Sequence, residues 1–182
     1  ATKEAARLML FRIVGAVPTL DEVEVLLRRR ANEYFERQVP LLTDAEGKVT
    51  IYNWDATKKA TVPVKYREDE ANVALAGRLA RDLYKLFPEK AEYRRLFWTC
   101  QFDAAAYQAG LDKPVAQGAG SAYEAAKQEP AAAIEDALAF AIEHEHIPGA
   151  TVAAQLLGEI GHVDMLTKHG ATICPLVAAT MH

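Results

Sequence analysis

The densest group of residues able to do chemistry is Glu143-His144-Glu145-His146. Imidazole nitrogens and carboxylates are donors in zinc and other transition-metal sites, and His162, His169 and Cys174 offer further ligands downstream. The spacing argues against such a site. Two histidines two positions apart at a helix end project to different sides. Neither a His-Glu-x-x-His nor a Cys-x-x-Cys arrangement occurs. A polar helix end is the reading this spacing favours, with His144, His146 and His162 the positions to test for metal.

Other reactive types are sparse. Ser121 is the only serine, no Gly-x-Ser-x-Gly elbow surrounds it, and Ser121-Ala122-Tyr123-Glu124 reads as a helix-capping box. Asp103 and Asp136 fall in separate predicted helices and would have to meet in space to act as paired carboxylates. Gly118-Ala119-Gly120 lacks the preceding strand and the Lys-Ser/Thr pair of a phosphate-binding loop. Cys100 and Cys174 lie far apart among apolar neighbours, the setting of buried free thiols rather than of a disulfide. No catalytic residue and no cofactor is assigned on these grounds.

The elements that would hold these residues are mostly helices. A first helix covers about 3 to 15, with Ala6, Leu10, Ile13 and Val14 on one side, and ends at Gly15 and Pro18. Thr19-Leu20-Asp21-Glu22 is a capping box that opens a second helix. Its apolar stripe is Val23, Leu26, Leu27, Ala31, Tyr34 and Phe35. Two β-favouring runs at about 48–66, with turn chemistry at Asp44 to Gly47, predict a small hairpin, with Pro63 on an exposed edge. Trp54 is expected to pin this hairpin to the helices, and is the candidate partner-binding residue. Helix resumes after Asp69 as N-cap, breaks at Pro88, and continues to Gly110, giving a helical hairpin. Residues 113–120 form a linker, so the chain divides into 1–112, the linker, and 121–182, expected to pack as one continuous unit.

Composition places the chain among globular proteins: 51% of residues are hydrophobic and 25% charged. A net charge of -4 gives no electrostatic reason to expect nucleic acid. The run Arg28-Arg29-Arg30 follows Asp21, Glu22 and Glu24 on one helix, an order that suits the helix dipole and reads as a solvated face. No apolar run approaches the ~18 residues that cross a bilayer. No targeting segment lies within this chain, which reads as soluble, and the sequence names no compartment. The chain starts at Ala1 and stops inside a predicted helix at His182, so a piece of a longer protein is expected.

The C-terminal third carries a repeat. Pro130 opens a helix with Ile134, Leu138, Ala141 and Ile142 in line; His146-Ile147-Pro148-Gly149 breaks it; residues 150–161 form a second helix; another begins near Ala171. Residues 130–170 match the ~40-residue period of a two-helix unit. Ala153-Ala154-Gln155-Leu156-Leu157-Gly158-Glu159-Ile160-Gly161 resembles the signature of HEAT-like repeats. With Tyr93-Arg94-Arg95-Leu96 and Ala109-Gly110-Leu111-Asp112, the chain resembles the N-terminal part of large bacterial HEAT-repeat proteins.

That resemblance implies a mainly all-α chain, an α-α superhelix with a small β-hairpin insertion. It also implies a non-enzymatic scaffold with a protein partner, since stacked repeats present extended binding surfaces. Some HEAT-like proteins are di-iron hydroxylases with a His-Glu pair where this chain has Thr151 and Val152, and others handle bilin pigments. A metal- or pigment-dependent enzyme, using His144, His146, His162 or Cys174, is therefore the alternative.

Overall fold

The computed structural model describes residues 2–111 and 113–160. These form seven helices and one two-stranded antiparallel sheet. In chain order they are α1 (Thr2–Val14), α2 (Leu20–Phe35), β1 (Lys48–Asp55), β2 (Ala60–Arg67), α3 (Glu68–Leu86), α4 (Ala91–Ala109), α5 (Ala122–Ala126), α6 (Ala131–Glu143) and α7 (Ile147–Glu159). The expected third helix of the repeat region, and with it His162, His169 and Cys174, lies outside the described residues.

The local signals act where the sequence puts them. Thr19 caps α2: its hydroxyl accepts from Glu22 N–H at 3.3 Å, and the Glu22 carboxylate accepts from Thr19 N–H at 2.8 Å. α2 turns Leu27, Ala31, Tyr34 and Phe35 inward, but Leu26 points out and drops from the expected stripe. At the start of α3 the N-cap is Arg67 rather than Asp69, because the helix follows β2 without a loop. Ser121 does cap α5, accepting from Glu124 N–H at 3.2 Å, while the Glu124 carboxylate turns to Lys127 instead of completing a box.

α4 is the central element. Tyr93, Leu96 and Cys100 join a core with α2 and α3, while Trp98, Phe102 and Ala106 join a second core with α5, α6 and α7. A helix apolar on so many sides must be enclosed by neighbours. Gly77 of α3 lets the backbones approach closely, since a Cβ there would stand 3.3 Å from Cys100 Cβ. Val115, in the predicted linker, also plugs the second core, so that segment is a strap rather than a free connection.

The hairpin pairs Lys48 with Arg67 through to Asp55 with Ala60. Val49 and Ile51 of its inner face rest on Ala71 of α3. Strand side chains alternate between faces, so Tyr52 and Trp54 stand on the outer one, 65% and 66% exposed. Trp54 therefore does not pin the hairpin. Val49 and Ile51 do.

α7 begins at Ile147, three residues before the expected start. Pro148 sits in the first turn, where the missing N–H costs no hydrogen bond, so it opens the helix instead of breaking the chain. α6 ends in a Schellman motif: His146 N–H donates to Ala141 O at 2.8 Å and Glu145 N–H to Ile142 O at 3.2 Å. Glu145 takes the left-handed conformation there, φ 59°, a place usually given to glycine.

Candidate functional site

The tight turn between α6 and α7 delivers His146 into the interior, where it is 3% exposed. Its Nδ1 meets the Oδ2 of Asp103, itself 1% exposed in the middle of α4. Its Nε2 donates to the carbonyl of Phe35 at 3.2 Å. That carbonyl ends α2 and has no helical partner of its own. The other oxygen of Asp103 accepts from Gly149 N–H at 2.7 Å. Gly149 lies in the first turn of α7, so Asp103 serves as that helix's N-cap from another helix, in place of the residue at the cap position.

The proton count follows from the partners. A carbonyl can only accept, so Nε2 carries a proton. One further proton lies between Nδ1 and Oδ2, and with it the pair is neutral as a unit. The Gly149 N–H and the N-terminal end of α7 face the other oxygen of Asp103. Three helix ends and the middle of α4 are thereby tied at one point.

A His–Asp pair suggests general-base chemistry. This one has both ring nitrogens engaged and no opening to solvent, so no substrate proton lies within its reach. The nearby Cys100 offers no nucleophile: burial pushes its thiol well above the ordinary range, and the Asp103 charge adds to the shift. The arrangement holds structure.

The expected candidates separate in space. His144 turns away from His146 to the surface and pairs with Glu36 at 2.6 Å beside the ring of Phe140. Asp136 is exposed on α6 and does not meet Asp103, which faces α7 instead. Among the described residues, no three His, Cys, Asp or Glu side chains gather as a metal site requires. No described helix is long and apolar enough to cross a membrane. A groove of about 330 Å³ runs beside His144, lined by Arg28, Asn32, Glu36 and Arg95 together with Leu96 and Phe140. The Arg95 guanidinium sits 4.8 Å over that ring.

Reading the sequence one residue at a time misses the Asp103–His146 pair. The available signal was Asp103 itself, an acid in line with Leu96, Cys100 and Ala106 on a buried face, where an unpartnered charge is untenable. Comparison with protein-family models, curated proteins and solved structures found no match.

Proposed function

We propose that this chain is a non-enzymatic scaffold of HEAT-like helical repeats that binds another protein. The observation that carries the reading is the outer face of the hairpin. Tyr52 and Trp54 stand side by side there, and across the ladder from them lie Pro63 and Thr61. Tyr and Trp are enriched at the energetic centres of protein interfaces, where one large ring fills a partner's pocket. The ribbon holding them is itself anchored from behind by Val49 and Ile51, so the aromatic pair is presented on a fixed base. The partner is a protein with an apolar segment able to cover two rings.

Two features support the scaffold half of the reading. α6 and α7 pack on each other and both pack on α4, as a two-helix layer added to a preceding pair would. Among the described residues, the one fully buried acid–base pair is used up in that packing.

Affinity capture from the lysate of the producing cells, comparing wild type with the Tyr52→Ala/Trp54→Ala double variant, tests the proposal. A stoichiometric partner should be lost with the double variant and kept with Arg81→Ala, a surface change elsewhere. Identical captured proteins would sink it. A stoichiometric transition metal in the purified chain, lost on His144→Ala, would favour the enzymatic alternative instead.

A further inference from the structure

We propose that a second copy of this chain docks on the α1–α2 face, forming a two-fold dimer in which the two α2 helices cross antiparallel. The surface is separate from the hairpin face, and the inference goes beyond the scaffold reading. The outer side of α2 presents Asp21 and Glu22, then Val25 and Leu26, then Arg29, lining one shallow groove. Acid, apolar and basic residues follow one another along a single stripe. Turned end for end about a point between Val25 and Leu26, this order is its own complement. Glu22 then faces Arg29 of the second copy, Arg29 faces Glu22 of the second copy, and the apolar residues meet at the crossing. A parallel pairing would set like charges together. Self-complementarity of one patch is the requirement of an isologous two-fold interface. A different partner would need to carry the same pattern reversed, whereas a second copy has it by construction.

α1 supplies the remaining area. Leu8, Met9, Phe11 and Ile13 are 55% to 79% exposed, and Val17, Leu20, Val25 and Leu26 continue the apolar surface. A helix of this length is marginal in water without packing, and no other described element packs extensively along α1. Val25 and Leu26 by themselves are too few for the ~800 Å² that each partner contributes to a standard interface, so part of α1 joins them in the proposed contact. Arg29 makes a long i,i+4 ion pair with Glu33, 3.7 Å away, and its side chain is still 64% exposed, so it can reach a second copy.

Sedimentation equilibrium of the chain at ~10–100 µM decides the matter. The expected mass is twice 20.0 kDa. Arg29→Glu and Glu22→Arg should each weaken the dimer about tenfold or more, and an equimolar mixture of the two should restore it by pairing unlike copies. Glu22 also helps cap α2, so circular dichroism must show that its variant folds, and Val25→Asp gives a third disruption away from the cap. A wild-type monomer throughout that range overturns the proposal. So does a dimer indifferent to both Arg29→Glu and Val25→Asp.

Discussion

The imidazole of His146 lies flat on the ring of Phe35, 3.8 Å between centroids and 8° from parallel, across 111 residues of chain. Phe35 stacks in turn on Phe140 at 5.3 Å. The end of α2 is therefore fastened to the α6–α7 turn by stacked rings as well as by the hydrogen bond from Nε2. Offset stacking adds about 0.5–1.5 kcal/mol beyond area burial. Within this fastening each buried polar atom of the pair has a partner, which is the condition for a buried charge to be tolerated.

Removing one member should therefore cost more than any surface change. Asp103→Ala leaves His146 Nδ1 and Gly149 N–H without their partner, and a loss of about 3–5 kcal/mol is expected from urea denaturation. Asp103→Asn keeps an oxygen for Gly149 and should lose less, about 1–2 kcal/mol. If both variants match the wild type, the pair is dispensable.

Gly149 is tightly enclosed. A Cβ there would stand 2.8 Å from Asp103 Oδ1 and 3.1 Å from Thr99 O. Gly149→Ala should lower stability by about 1–3 kcal/mol, because α7 must move off its cap. Gly118 has nothing within 4 Å of that position, and Gly118→Ala should be neutral or gain about 0.4–1 kcal/mol. Thermal melts of the two side by side separate crowding from loop entropy.

Glu145 carries the opposite opportunity. Its left-handed backbone costs a non-glycine residue about 1–2 kcal/mol. Glu145→Gly should stabilise the fold by up to about 1 kcal/mol after the extra freedom of the unfolded chain is counted, read as a higher melting temperature. A lower melting temperature would mean that the Glu145 side chain contributes something the geometry does not reveal.

The loop before the hairpin should respond to acid. The Lys65 ammonium, 2.8 Å away, and then the N–H of Lys48 hold the Asp44 carboxyl at about 2, below its usual 3.8. A folded value below the unfolded one means the contribution is complete above pH 4 and vanishes as pH falls through about 2. NMR shifts of Lys48 and Lys65 amides should move in that window. In Asp44→Asn the movement should disappear, and its persistence would place the titration elsewhere.

Cys100 should be inert in the folded protein. In a Cys174→Ala background, a thiol reagent should modify Cys100 only after denaturant unfolds the chain, given full burial and a raised thiol. Rapid labelling under native conditions would contradict the packing of α3 on α4.

Much of the local architecture was legible because it is set by neighbours in sequence. Thr19 and Glu22 announce their cap three residues apart, and the Lys48 and Thr61 runs announce strands by composition. Trp54 was misplaced although the signal existed: it has the opposite parity to Val49 and Ile51, so it could not share their face. Pro148 was misread because a proline that ends one helix and a proline that starts another look alike until the first turn is located. The Asp103–His146 pair joins residues 43 apart. No periodicity connects them. Leu26 left the expected stripe because three- and four-residue spacing defines an apolar side but not how wide a neighbour covers it.

Helical arrays are usually interchangeable, each layer bringing its own start and stop signals. Here α7 takes its start signal from a side chain 46 positions earlier on a different helix. The α6–α7 pair thus could not be cut out and grafted onto a helical array without also importing Asp103. Duplicating it in tandem would yield a copy whose second helix lacks a beginning.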